Sequence, residues 1–383
     1  MIHFVVGARG SFSIRYYLAE EGAALADRIR VIQYDELPRL ASLPLGTYVF
    51  TETDRLSAPE RELVSFAWDR LHEADAGARL MNHPARVLSR YELLCAAHDA
   101  GLNRFRAVPA SRVAFRERSR SRRTEAAALR YPVFVRFADR HEGSLTPLLE
   151  SPSALETALA SLLGRRMRLE ELLVVEFCDT RDARGVYRKY SSFNVGGRVI
   201  PRCMECSRDW MVKWSGRILS AECAAEESRY LGGNPHEDWI REVFRLANVE
   251  YGRIDYGVRA GEPQVWEINT NPTIGRGPGP RVVDPDVAAY KRILSPGYDT
   301  FYRGFLEAWQ AADSDMDPGR SVALNAPDAL LHAIEVVARR RHNADRWMAL
   351  ANSLARRRWM RPLARTVKRA LTYAARTRVR LGG

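Results

Sequence analysis

The chain has 383 residues, of which 46% are hydrophobic and 28% charged, and its 59 Lys and Arg against 47 Asp and Glu leave a net charge of +12. That length exceeds one ordinary core and implies two or three subdomains, and that composition excludes a disordered chain. An odd set of five cysteines (Cys95, Cys178, Cys203, Cys206 and Cys223) does not fit a secreted disulfide framework, and no window holds the run of about 18 uncharged apolar residues that a membrane span needs. A reducing cytoplasm is the expected location.

Residues 1–82 alternate apolar strands, IHFVV, IRVIQY and TYVFT, with helical stretches, the order of a small parallel α/β unit. The first apolar run is too short for a signal peptide, and charges follow it at once. GARG, from Gly7 to Gly10, closes the first strand and opens a helix whose amides are suited to an anion, although most such turns serve only as turns. Further on, NHPARVLSRYELLCAAHDAGLNRF reads as a helix ended by Gly101, and the apolar LLVV runs into Glu176. In GGRVIPRCMECS, Cys203 and Cys206 have the spacing of half a zinc site. No second close Cys or His pair follows, so they are read as part of a strand hairpin.

The stretch YGRIDYGVRAGEPQVWEINTNPTIG, residues 251–275, carries the chemistry. As strands, Arg253, Asp255 and Gly257 point to one face and Ile254, Tyr256 and Val258 to the other; on the second run Val265, Glu267 and Asn269 share a face. A loop over Arg259 to Pro263 sets Val258 against Gln264, Asp255 against Glu267 and Arg253 against Asn269. Opposed carboxylates with Cβ atoms about 5 Å apart repel, so a structural sheet avoids the pair unless a cation sits between them. The oxygens of Asp255, Glu267 and Asn269 are hard ligands of the kind Mg²⁺ or Mn²⁺ takes. The plainer reading is a solvated hairpin face whose acids are answered by Arg253.

RIDYGV followed by VWEINTNPTIG resembles the metal-binding end of the ATP-grasp superfamily, which includes D-alanine–D-alanine ligase, glutathione synthetase and the ribosomal-protein glutamate ligases. Arg253, Asp255, Glu267, Asn269 and Pro272 match its pattern, while the usual glycine after the proline is Thr273. The resemblance covers about residues 83–280 and implies an α/β, ATP-grasp fold. It divides the chain into an N-terminal α/β unit (1–82), a small lobe (83–172), a large lobe with the metal site (173–318) and a tail (319–383). It further implies that Arg86 and Arg136 stand at the places of phosphate-contacting lysines, and that the loop from His141 to Thr146, with Gly143 and Ser144, covers the phosphates. Glu176, with the main chain of Phe177 and Cys178, would hold adenine, and Asp179 or Asp182 the ribose. Lys213 would lie near the γ-phosphate.

The activity the resemblance implies is ATP-dependent ligation with Mg²⁺ or Mn²⁺: a carboxylate attacks the γ-phosphate, and an amine or similar nucleophile opens the acyl phosphate. Asp255, Glu267 and Asn269 would hold the metal, and Arg253 and Lys213 would be catalytic. Arginine at both lysine places also fits a nucleotide-binding scaffold without turnover, and the same metal site would serve phosphoryl or group transfer. No nucleophile elbow and no Walker stretch is present.

From Gly319 onward, fifteen Arg and Lys face three acids, so the tail carries the whole excess charge. Trp347, Leu350 and Leu354, then Leu363, Val367 and Leu371, fall at helical spacing about Pro362. Three readings stand: helices packed on the body, a peripheral anionic membrane surface favoured by Trp347, Trp359 and Tyr373, and, less favoured, a nucleic acid.

Overall fold

The structure is a computed structural model that describes residues 1–7, 10–74, 77–113, 128–140, 143–275, 285–314 and 319–356. His141, the Gly/Pro-rich loop over 276–284 and the tail beyond 356 lie outside these residues. The N-terminal elements are β1 (Ile2–Val6), α1 (Phe12–Ala19), β2 (Ile29–Gln33), β3 (Ser42–Pro44), β4 (Thr47–Phe50), α2 (Ala58–Ala74) and β5 (Leu80–Met81). There follow α3 (Arg90–Asp99), β6 (Ala107–Pro109), α4 (Ala110–Val113), β7 (Val133–Phe137), α5 (Pro152–Gly164), β8 (Leu172–Glu176), β9 (Tyr187–Val195) and β10 (Arg198–Ser207). The last are α6 (Ala221–Gly232), α7 (Glu237–Ala247), β11 (Tyr251–Arg259), β12 (Glu262–Asn269), α8 (Pro285–Ala312), β13 (Ser321–Ala323) and α9 (Asp328–Arg356).

These elements group into two compact units. One is built from Met1–Gln33, Gly46–Asp54 and Gly77–Met316, the other from Tyr34–Leu45, Arg55–Ala76 and Asp317–Gly383. In the second unit β3 and β13 pair antiparallel, Leu43 opposite Val322, and α2 buries Leu63, Val64, Ala67 and Leu71, at the spacing of one helix face. No helix among the described residues is long and apolar enough to cross a membrane.

The first unit holds three sheets. β2, β1, β4 and β5 form a parallel sheet in that order; β1 is buried at every residue, as a strand covered on both faces must be. β6, β8 and β7 make a small antiparallel sheet, and β10, β9, β11 and β12 a larger one. Phe4 of the parallel sheet meets Tyr251 of the larger sheet edge to face at 5.4 Å between centroids, and Trp309 of α8 closes the same cluster at 5.1 Å from Tyr251. Asn82, with φ near 65°, locks this junction: its amide donates to the carbonyls of Phe50 (3.0 Å) and Tyr251 (2.8 Å) and accepts from the Tyr251 N–H (3.0 Å).

The segment after β12 is tied to the start of the chain. Ser13 Oγ donates to the Pro272 carbonyl at 2.6 Å and accepts from the Ile274 N–H at 3.1 Å, while Asn271 Nδ2 donates to the Gly10 carbonyl at 3.1 Å. The loop that carries Asn269 and Pro272 is therefore fixed at both ends.

The hairpin of β11 and β12 pairs Arg253 with Asn269 and Asp255 with Glu267, in the expected register. Nearer the turn the register differs by one residue: Gly257, not Val258, faces Gln264, and Arg259 faces Glu262. The turn is two residues, Ala260 and Gly261, both at positive φ (51° and 85°), the backbone that matches the twist of adjacent strands; a bulge beside Asp255 absorbs the difference. Gly261 meets nothing within 4 Å of where a Cβ would stand, so its role is conformational. Gly261→Ala is expected to lower stability in urea unfolding by about 1 kcal/mol through left-handed strain alone; an unchanged midpoint would contradict this turn.

Candidate functional site

A cleft of about 460 Å³ lies between residues of the small sheet and residues of the larger one. Part of its lining is apolar: Leu94, Phe105, Phe134, Val175, Phe177, Trp210, Met211 and Trp266. Trp210 stands tilted to Phe134 at 4.9 Å and edge-on to Phe177 at 5.7 Å between centroids. Another part is polar and charged: Arg136, Lys189, Glu205, Lys213, Arg253, Asp255, Glu267 and Asn269. Strand alternation builds this floor: Cys203 and Glu205 on β10, Lys189 and Ser191 on β9, Arg253 and Asp255 on β11, Glu267 and Asn269 on β12.

The opposed acids are answered by arginines. Arg253 spans Asp255 with Nε on Oδ1 (2.8 Å) and a terminal nitrogen on Oδ2 (3.1 Å), and Ser191 Oγ donates to Oδ1 at 2.9 Å. Glu267 Oε2 takes two guanidiniums, Arg90 and Arg136, each at 2.7 Å. Burial, with Arg136 beside it, pulls Arg90 below the usual guanidinium range even though Glu267 supports its charge. At Arg253 burial also works against the cation, but Asp255 overcomes it and leaves the pKa above the ordinary value. Arg136 Nε is buried without a hydrogen-bond partner, an unspent donor at an ion pair.

Arg86, expected to reach the phosphates, is exposed and outside the cleft. Arg90, one turn on, is buried against Glu267 and does not itself line the cleft. Ser89 caps α3 in a reciprocal box with Glu92, so Arg90 is the first helical residue, and its guanidinium also donates to the Phe137, Ala138 and Arg140 carbonyls at 2.9 Å each. Arg136, Gly143 and Lys213 line the cleft as a group; a Cβ on Gly143 would stand 2.5 Å from Lys213 Nζ, so glycine there lets the lysine lie against the main chain. Ser144 turns back to its own strand, its Oγ donating to the Thr146 carbonyl at 2.5 Å.

Of the residues expected at adenine and ribose, some are already engaged within the protein. The Glu176 carboxylate, at the end of β8, is held within the small sheet: it accepts from the N–H groups of Arg106 (3.1 Å) and Arg130 (2.8 Å) and from both guanidiniums at 2.9–3.1 Å. Phe177 and Cys178 remain along the cleft wall. Asp182 accepts from the N–H groups of Val186 and Arg184, both at 2.9 Å, and from Arg188, which together take its pKa to about 2, and it staples its own turn. Asp179 pairs with Arg181 at 2.8 Å and lines a separate pocket with Arg104, Arg130 and Arg259. Neither aspartate lines the cleft.

Lys189 and Glu205 line the cleft and Ser191 lies buried beneath Asp255, and no motif in the sequence marks any of the three. Their signal is the period-two alternation of YRKYSSF and CMEC, visible only once those runs are known to be neighbouring strands.

No family model and no curated protein matches the chain. Among solved structures it is similar to D-alanine–D-alanine ligase from Bacillus anthracis complexed with ATP, with 13% identity, 81% of this chain and 99% of that one covered, and a TM-score of 0.41. It is also similar to the ATP-grasp ligase PsnB complexed with a precursor peptide and AMPPNP (14% identity, 77% and 98% covered, TM-score 0.43). A third is N5-carboxyaminoimidazole synthase from Aspergillus clavatus (10% identity, 70% and 69% covered, TM-score 0.43).

At Glu176, burial pushes the carboxyl up, and the donors of Arg130 and Arg106 more than reverse it, so its pKa lies below the ordinary value. A depressed carboxyl contributes stability that is complete above its unfolded pKa of about 4.3 and is lost as the pH falls through the folded pKa. Glu176→Gln is expected to cost on the order of 2 kcal/mol in urea unfolding at pH 7. The gap from wild type should shrink toward pH 3; a gap that stays constant with pH would contradict the assignment.

Proposed function

We propose that the chain is an ATP-dependent ligase that activates a carboxylate as an acyl phosphate and joins it to an amine. One observation carries this reading: a single cleft is lined both by a cluster of aromatic and apolar side chains and by cations beside two opposed carboxylates. The aromatic cluster suits a purine, with the Phe177 carbonyl and the Cys178 N–H as its hydrogen-bonding edge. Arg136 and Lys213 suit the phosphates, because guanidinium forks and ammonium groups both bind phosphate oxygens.

The donor set also fits a divalent cation. Asp255, Glu267 and Asn269 bring hard oxygens to one cavity face, and arginines supply the positive charge that the two acids require. Among the described residues no three of His, Cys, Asp and Glu gather in one metal-sized cluster, so Asn269 and substrate oxygens would complete the shell. When bound, Mg²⁺ would supply charge neutralisation of the phosphates. Arg253, fixed by Asp255, would stabilise charge on the transferring group, and the aromatic wall would exclude water from the activated carboxyl.

A second reading, nucleotide binding without turnover, is favoured by one observation: Glu267 is already held by two arginines. One experiment separates the two. The full chain is incubated with ATP, Mg²⁺ and hydroxylamine as a general amine, across acetate, succinate and the twenty amino acids as carboxylates, and read for ADP release and hydroxamate mass. The ligase reading expects a hydroxamate from at least one carboxylate and expects Glu267→Gln to lower its formation by roughly 100-fold while the protein stays folded. ADP release without hydroxamate from any carboxylate, or full turnover by the variant, contradicts it.

A further inference from the structure

Four carboxylates line the cleft: Glu176, Glu205, Asp255 and Glu267. Three are committed to guanidinium groups, Glu176 to Arg106 and Arg130, Asp255 to Arg253, and Glu267 to Arg90 and Arg136. Arginine does not give up its proton, so a carboxylate in its fork stays a fixed anion. The fourth differs. Glu205 on β10 faces Lys189 Nζ on the neighbouring strand β9 at 2.5 Å, with 10% of its side chain exposed. A lysine is a single point charge on a flexible stem and can turn from its partner, which leaves that carboxylate able to accept a proton from a ligand.

Position separates Glu205 from the proposed metal pair. The strand order β10, β9, β11, β12 puts it two strands from Asp255, about 10 Å at ordinary strand spacing, and on the same cleft. Arg253 and Asp255 lie beyond Lys189, and the buried pair of Arg217 and Glu227, from α6 and the segment before it, bonds to the Met204 main chain of β10, with Glu227 close enough to feel the Glu205 charge. Cys203, on the face of Glu205, is held protonated by burial and by the glutamate's charge, so it is no competing nucleophile. Burial acts to lower the Lys189 pKa, but Asp255 and Glu205 outweigh it and keep the lysine charged.

We propose that Glu205 is the base that takes a proton of the attacking amine, with Lys189 as the positioning residue that holds its carboxylate toward the cleft. The inference rests on the ligase reading above. In the step, Glu205 takes one proton from the substrate ammonium, the lone pair so freed forms the C–N bond at the acyl carbon, and the C–O bond to phosphate breaks. Its electron pair leaves with the phosphate, which takes the second amine proton. Atoms and charge balance without a further reactant.

Hydroxylamine distinguishes a base from a structural acid, because it is mostly neutral at pH 7 and needs no proton removed before it attacks. The full chain and its Glu205→Gln and Lys189→Met variants are compared with ATP, Mg²⁺ and the carboxylate that yields most hydroxamate. The amine is either hydroxylamine or, one at a time, ammonia and the twenty amino acids. Glu205→Gln is expected to form hydroxamate within about twofold of wild type while amide formation falls roughly 100-fold and the KM for ATP is unchanged. Lys189→Met is expected to show the same split, about tenfold. Amide at the wild-type rate in Glu205→Gln overturns the inference, as does an equal fall of amide and hydroxamate in both variants, the mark of a structural pair. Absence of hydroxamate from wild type overturns the ligase reading and this inference with it; either of the other outcomes overturns this inference alone.

Discussion

Asp255 and Glu267 stand opposite each other on adjacent strands, and that opposition must be met by positive charge. Three arginines meet it from three parts of the chain: Arg253 two residues before Asp255, Arg90 at the start of α3, and Arg136 on β7. Each pair is also a tether. Arg90 and Arg136 carry α3 and the small sheet to the hairpin, so the charges that quiet the two carboxylates also define the cleft. Breaking one partner of such a pair leaves a buried charge exposed to low dielectric, which costs more than the intact pair contributes.

The same cations suit a polyanion. A phosphate group reaching the charged part of the cleft would compete with Glu267 for Arg136, and a divalent cation at Glu267 would replace the charge that arginine leaves behind. Nucleotide and metal binding would then be linked, each easing the other, as any two ligands that favour one arrangement must be. Arginine at these places stays charged and suits a phosphate, because its planar fork can hold an oxyanion by more than one donor.

Much of this was legible in the sequence. The pairing of Asp255 with Glu267 follows from period-two alternation about a Gly-containing turn. The one-residue slip near that turn was not legible, because it depends on a two-residue turn through Ala260, a residue that seldom takes positive φ. Arg90 was within reach, since the Ser89 and Glu92 capping box marks where α3 begins. The ion pairs of Glu176 were not legible for a different reason: its partners Arg106 and Arg130 lie 70 and 46 residues away, and nothing local announces which guanidiniums a carboxylate after a buried strand will meet. Lys189 and Glu205 are legible as one face of a hairpin, but only the sheet order shows that this face continues the one holding Asp255.

The central claim is that the arginine-bound carboxylates of the cleft and a magnesium nucleotide share one set of charges. Calorimetric titration of the full chain with the nonhydrolysable analogue AMPPNP, repeated at rising Mg²⁺, tests it most directly. The account predicts saturable binding that tightens as Mg²⁺ is added, and a Mg²⁺ effect that collapses in Glu267→Gln. Absence of binding, or binding with the same affinity at every Mg²⁺ concentration in both proteins, would contradict it.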